Sequence, residues 1–192
     1  MLIHKHSTNN DFICEKPQTK LAQYTYLYVA PTDRCGFGLF TARTVSVNDI
    51  VLRVEDPHYL SRATPRAHLT QLGFGHADIF QVGHDLFLPP YGGLDDFTNH
   101  SCDPNCGLRV NHAGFDMLAL RDIAAGEELT YDYSTHQQHP LEDMACQCGS
   151  PNCRGVVRSF STLPEPLRQR YLGLGVVAGF ITESATRSRP SR

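Results

Sequence analysis

The chain has 192 residues, 41% of them hydrophobic and 19% charged, which suits one domain with a buried core and excludes wholesale disorder. Lys and Arg number 17 against 20 Asp and Glu, a formal net charge of −3, so the basic excess of a non-specific nucleic-acid binder is missing and no direct nucleic-acid contact is expected. No apolar run approaches the ~20 residues of a bilayer span, and no membrane partner is expected.

Residues 1–20 are polar and mixed and read as a leader, and Met1–Asn10 lacks the apolar core of a signal peptide. A reducing compartment is therefore expected, where seven cysteines point to metal or catalysis before disulfides. From Tyr24, the alternation of Tyr24, Tyr26, Tyr28 and Ala30 with Thr25, Leu27 and Val29 predicts a strand. Pro31, Asp33, Gly36 and Gly38 punctuate a turn, and Leu39–Val45 and Ile50–Val54 read as two more short strands. Residues 57–75, with Leu60, Ala63, Ala67, Leu69 and Leu72, predict a helical insert interrupted by Pro65. Ile79–Val82 and Leu86–Leu88 form one predicted hairpin, and Leu108–Val110 and Met117–Leu120 a second that turns at His112, Ala113 and Gly114. Leu129–Tyr133 is the final predicted strand. Many short strands with Gly and Pro turns indicate a mostly-β (β+α) domain with one helical insertion. Residues 135–143 read as a connecting loop. Ser161 and Thr162, followed by Pro164 and Glu165, open a predicted helix with Leu167 and Tyr171 on one face. The basic, Ser-rich stretch Thr186–Arg192 reads as a frayed tail.

Cys146, Cys148 and Cys153 form a C-x-C-x4-C loop. C-x-C is too tight for an unstrained disulfide, but three thiolates this close converge readily on Zn²⁺, which takes four ligands at ~2.3 Å from sulfur. Gly149 and Gly155 permit the turns such a loop needs. Spacing leaves the fourth ligand open among Cys102, Cys106, Cys14, Cys35, His136 and His139.

Three longer strings occur in a fixed order: Asn99-His100-Ser101-Cys102-Asp103-Pro104-Asn105, then Gly126-Glu127-Glu128-Leu129-Thr130-Tyr131-Asp132-Tyr133, then Cys146-Gln147-Cys148 with Cys153-Arg154-Gly155. Together they resemble a SET-domain protein-lysine methyltransferase with its post-SET zinc loop. Gly36-Phe37-Gly38 is similar to the family's GxG cofactor motif. The resemblance covers about residues 24–155, with 1–20 and 160–192 outside every motif; it implies a SET fold of several short sheets with a helical insert and a post-SET zinc loop, to which the predicted C-terminal helix is added. The implied organisation is a leader at 1–20, a SET domain at 21–134, a zinc-binding region at 135–158 and a C-terminal extension at 159–192. Where family members often carry Arg before the aromatic, this chain has Asp96 before Phe97, and Gly92-Gly93 stands where a glycine-asparagine pair is usual.

The resemblance implies S-adenosylmethionine and Zn²⁺ as cofactors. Gly36, Phe37, Gly38, Asn99, His100 and Tyr133 would contact S-adenosylmethionine, with the Asn99 amide on its amino-acid part. Tyr133 would be the catalytic phenol, orienting the amine, and Tyr131, two residues away on the same strand face, would limit the volume of the lysine channel. Cys102 would complete the zinc site with Cys146, Cys148 and Cys153. No role is assigned to Asp132, expected to point away. Cys106, Cys14 and Cys35 read as structural thiols and the remaining histidines as solvated. The implied function is methyl transfer from S-adenosylmethionine to a lysine of a protein, histone or otherwise; the alternative is a non-catalytic SET-fold module that binds protein tails. The compact architecture also resembles small bacterial SET proteins. That implies the cytoplasm in a bacterium and the nucleus in a eukaryote or an infected host.

Overall fold

The computed structural model describes residues 24–34, 36–55, 59–75, 78–138 and 144–187, the side chains as far as residue 183. The predicted leader, Cys14, Cys35, His139 and residues 188–192 lie outside the described residues.

In chain order the elements are β1 (Leu27–Pro31), β2 (Phe37–Thr41), β3 (Ile50–Glu55), α1 (Arg66–Gln71), β4 (Phe80–Gly83), β5 (Leu86–Leu88), β6 (Asn99–His100), β7 (Cys106–Asn111), β8 (Gly114–Ala119), β9 (Glu128–Tyr131), β10 (Met144–Ala145), β11 (Val156–Val157), α2 (Glu165–Leu174) and α3 (Gly179–Arg187). They form a mostly-β assembly of small sheets ordered β1-β2-β9-β6, β3-β8-β7, β4-β5 and β10-β11. Leu39, Val51, Met117 and Leu129 are each 0% exposed and make the centre of the main core. Leu118 on β8 turns outward instead and, with Phe160, Leu163, Tyr171, Val176, Ala178 and Ile181, builds a second core beneath the C-terminal helices. Gly107 on β7 makes this docking close, since a Cβ there would stand 2.7 Å from Val176.

One connection positions the site. β6 pairs with β9 in parallel, Asn99 opposite Thr130 and His100 opposite Tyr131. The β7-β8 hairpin supplies the crossover such a pair requires. Two of the sequence strings are thereby laid side by side. Asn105 fastens them: its amide donates to Glu128 O at 2.7 Å and its Oδ1 accepts from Thr130 N at 2.9 Å.

Several local expectations are corrected. The first strand begins at Leu27, not Tyr24, because Leu27 N donates to Tyr24 O and closes a turn there. The second strand ends at Thr41, whose hydroxyl turns back on the backbone of Arg43. The final strand ends at Tyr131: the Asp132 carboxylate accepts from Ser134 N at 3.1 Å and starts a 3-10 turn over Tyr133–His136. Tyr131 and Tyr133 are therefore not strand neighbours on one face, although their rings still meet. The same turn buries Thr135 and His136, which correct the reading of that stretch as a connecting loop and of this histidine as solvated. Pro65 precedes α1 and begins it, where its missing N–H costs nothing.

Candidate active site

The Sγ atoms of Cys102, Cys146, Cys148 and Cys153 all lie within 4.8 Å of one another. Cys102 and Cys146 are 3.7 Å apart, close to the edge of about 3.8 Å expected for sulfurs placed tetrahedrally at ~2.3 Å from Zn²⁺. Backbone N–H groups point at these sulfurs, Arg154 N at Cys102 from 3.4 Å, Cys102 N at Cys148 from 3.5 Å and Gly155 N at Cys153 from 3.4 Å. Burial works against ionising the Cys148 thiol, but N–H donors from Cys102 and Ser150 outweigh it and bring its pKa down to about 7. The donor set fits zinc. Cys106 is not part of it: it lies in the main core, where burial pushes its thiol up to about 12. The loop is held from the opposite side by Arg34, which donates to Cys148 O and packs against Gly149, a left-handed residue at φ 68.

His100 bridges this cluster to the YDY segment. Its Nδ1 accepts from Tyr133 N at 3.2 Å, so the ring proton is on Nε2, which faces Cys102 Sγ at 3.3 Å. Burial pushes the His100 pKa from 6.5 to about 4, although the Asp132 carboxylate pulls the other way. The ring is thus a neutral donor toward sulfur, and a donor so placed orients a metal-bound thiolate.

The Asn99 amide donates to Phe37 O at 3.0 Å and to Glu128 Oε1 at 2.7 Å. Both amide hydrogens are spent within the protein, leaving Oδ1 as the group it offers a ligand. Gly38 lies behind this pair, and a Cβ there would meet Glu128 Oε1 at 2.4 Å and Thr32 at 2.7 Å. Gly36 adopts φ 65 and accepts from Thr32 N at 2.8 Å, closing the turn that carries Arg34. Asp96, the departure from the family pattern, organises the backbone upstream of it. Its Oδ2 accepts from the backbone N of Tyr91, Gly92 and Gly93 and folds the turn before Phe97.

Two concavities flank Tyr133. An open cleft of about 850 Å³ is walled by Asn99, His100, Tyr133, residues 31–34 and the zinc loop from Met144 to Pro151. A smaller, partly open pocket of about 100 Å³ lies among Tyr131, Tyr133, Phe80, Phe87, Phe97 and Met117, with Asp78, Asp95 and Asp96 also on its lining. Tyr133 belongs to both walls, while Gly36, Phe37 and Gly38 line neither. The Tyr133 hydroxyl donates to Thr98 O at 2.9 Å, and its ring lies 4.8 Å from that of Tyr131. The Tyr131 phenol is held neutral, since burial pushes its pKa well up.

Sequence reasoning missed Asp132, which is 1% exposed and does not point to solvent. It accepts from Arg154 at 2.8 Å and from the Tyr171 hydroxyl at 3.1 Å, joining the tyrosine segment, the zinc loop and α2. A carboxylate between two aromatics, with an Arg directly after the last loop cysteine, is the signal that could have found the pair.

Comparison with known proteins agrees with this geometry. The family model described as "SET domain" matches residues 36–134, more than half of the chain. The "Histone-lysine N-methyltransferase, H3 lysine-4 specific" of Saccharomyces cerevisiae is 32% identical over 133 residues, covering 63% of this chain and 12% of that protein. Histone-lysine N-methyltransferase set1 of Dictyostelium discoideum is 34% identical over 128 residues, 62% of this chain and 8% of the relative. The H3 lysine-36 specific enzyme of Cryptococcus neoformans is 27% identical over 153 residues, 75% of this chain and 18% of the relative. The chain thus spans a small fraction of the length of these relatives. Among solved structures, the crystal structure of KRYPTONITE in complex with mCHG DNA and SAH superimposes with a TM-score of 0.52 at 22% identity, over 68% of this chain and 28% of that one, a likeness of fold. By the extent of the family match, the chain belongs to the SET-domain family.

Proposed function

We propose that the chain is a protein-lysine methyltransferase that uses S-adenosylmethionine, with Zn²⁺ as a structural ion. The observation that carries this reading is Tyr133, which stands in the wall of both the larger cleft and the smaller pocket. A methyl donor in the cleft and a lysine tip in the cavity would face each other across it. S-adenosylmethionine would supply an activated methyl group on a sulfonium. Asn99 Oδ1 and the backbone around His100 are the polar groups available to hold it.

The lysine must arrive as the neutral amine, although its ordinary pKa is ~10.4. The apolar walls of the cavity, Phe80, Phe87, Phe97 and Met117, desolvate it and lower that pKa. The proton leaves to solvent before attack. With a methyl donor bound in the cleft, the amine lone pair would form the new C–N bond as the sulfonium C–S bond broke, the thioether leaving as S-adenosylhomocysteine. Tyr133, its proton committed to Thr98 O, presents its hydroxyl lone pairs and orients the reacting groups. Asp78, Asp95 and Asp96 on the lining attract a cationic side chain but raise the amine pKa, so desolvation by the apolar walls must outweigh them. The relatives named for histone H3 make a histone tail the first substrate to try.

The test has two arms. Calorimetry with S-adenosylhomocysteine asks whether the cleft binds the cofactor product. Transfer of labelled methyl groups from S-adenosylmethionine to a lysine peptide array then separates an enzyme from a module that only binds protein tails. Binding to array peptides without transfer would refute the proposed activity.

A further inference from the structure

His136 is 2% exposed and closes the turn that begins at Tyr133. Its ring packs on Phe80 with centroids 5.2 Å apart and meets the Tyr131 ring at 83°, centroids 5.9 Å apart. The tautomer follows from its neighbour. Thr135 Oγ1 gives its one proton to Asp132 O at 2.8 Å. In its 2.9 Å contact with His136 Nδ1 the hydroxyl must therefore accept. The ring proton is on Nδ1, and Nε2 carries a bare lone pair. That lone pair is buried and has no partner in the protein.

Nε2 shares this condition with Tyr59 Oη, Asp78 Oδ1 and Thr98 Oγ1. All these residues line the smaller pocket of about 100 Å³. Among the described residues, Arg154 Nη1 is the only other buried side-chain nitrogen or oxygen without a partner. Buried polar atoms are almost always paired, so their concentration around one cavity marks a place built to receive hydrogen-bonding groups. A water molecule needs about 10–15 Å³ of such volume, so the cavity has room for a lysine tip and water together.

We propose that His136 is a specificity-determining residue: its Nε2 anchors a water molecule beside Tyr131, and that water restricts how many methyl groups the substrate amine can carry. The inference rests on the methyltransferase reading. An amine bearing one methyl group fits beside the water; each further methyl must displace it, and an apolar methyl cannot replace the hydrogen bond to Nε2. His136 acts here as an acceptor and not as a base. Burial pushes its pKa from 6.5 to about 3, so it stays neutral at working pH and takes up a proton poorly.

The test compares the unmodified full chain with His136→Phe, which keeps a planar ring but removes the acceptor, and with His136→Gln, which restores a polar group. Core histones are methylated to matched turnover and the product degrees read by mass spectrometry. The share of di- and trimethyl-lysine should rise about fivefold in the Phe variant, the rate ratio one hydrogen bond supports, and return toward the unmodified value in the Gln variant. An unchanged distribution in a Phe variant that still binds S-adenosylhomocysteine overturns the proposal. Nitrogen-15 imidazole spectra of the unmodified chain give a second readout independent of turnover. Nε2 should be unprotonated and Nδ1 protonated from about pH 5 to about pH 9; a protonated Nε2 also overturns the proposal. Absence of any lysine methylation by the unmodified chain would instead defeat the functional reading, and the spectra would still decide whether His136 is an acceptor.

Discussion

Arg154 places Nη2 at 2.8 Å from Oδ1 of Asp132, a carboxylate whose side chain is 0% exposed. Arg154 directly follows the last cysteine of the zinc loop, and Asp132 separates Tyr131 from Tyr133. The pair therefore ties the metal loop to the tyrosine segment. Removing one partner of a buried ion pair leaves a charge uncompensated, which costs about 3–5 kcal/mol. Arg154→Met should lose stability of that order in urea unfolding and weaken S-adenosylhomocysteine binding. Unchanged unfolding would show that the pair does not tie the loop down.

Zinc content follows from the four converging thiols. The purified protein should carry about one zinc, since four sulfurs make a closed structural site. Cys148→Ser should lose the metal and the cleft wall that the loop builds, while the strands of the main core keep the chain's β circular dichroism. Full metal retention in that variant would remove Cys148 from the ligand set.

For Tyr133, the expected result is a separation of binding from turnover. Tyr133→Phe deletes one hydroxyl, so cofactor affinity should change little while transfer falls roughly 10²-fold or more, the scale of lost positioning. Near-native turnover would take Tyr133 out of the chemistry.

His136 also predicts acid lability. In the folded protein burial pushes its pKa from 6.5 to about 3. Below pH 6.5 the unfolded chain takes up a proton that the folded chain refuses until about pH 3. The contribution to stability is therefore complete above 6.5 and is lost as pH falls toward 3, at up to ~1.4 kcal/mol per pH unit. His136→Gln removes this slope. Between about pH 7.5 and about pH 5, the unmodified chain should lose roughly 2 kcal/mol more in urea unfolding than the Gln variant. Equal losses would mean that His136 is not held neutral.

The strings that carry chemistry were legible in the sequence because they are contiguous. NHSC and the strand leading into YDY lie side by side through the β6-β9 pairing, and Cys102 meets Cys146 of the C-x-C-x4-C loop from 44 residues away. The two interior hairpins, β4-β5 and β7-β8, were legible from alternation bounded by Gly. What escaped was set by tertiary pairing. The strand ends at Tyr131 because a carboxylate one residue later caps a turn, and period-two alternation carries no trace of that. No role for Asp132 was legible because its partners, Arg154 and Tyr171, come from segments brought back by the zinc loop and by α2. His136 looked like a loop residue because the apolar rings around it, Phe80 and Tyr131, are distant in sequence or hidden by the turn.

Product degree gives the last prediction, and it follows from Tyr131 being Tyr and not Phe. Its ring touches Tyr133 at 4.8 Å between centroids, and it shares the smaller pocket with His136. Burial raises its pKa, so the phenol keeps its proton and remains a hydrogen-bond donor to an amine or to water. A monomethylated amine must give up such a bond, or displace the water that makes it, to turn its lone pair toward a second methyl group. Losing the bond costs roughly 1 kcal/mol, and each ~1.4 kcal/mol is tenfold in rate. One or two such terms suffice to favour the first transfer over later ones. The unmodified chain should therefore give mainly monomethyl-lysine with some dimethyl-lysine. Tyr131→Phe should shift the products toward di- and trimethyl-lysine, read by mass spectrometry of one peptide at matched turnover. Efficient trimethylation by the unmodified chain, or an unchanged ratio in the Phe variant, would defeat this role for Tyr131 and leave the methyl-transfer reading in place.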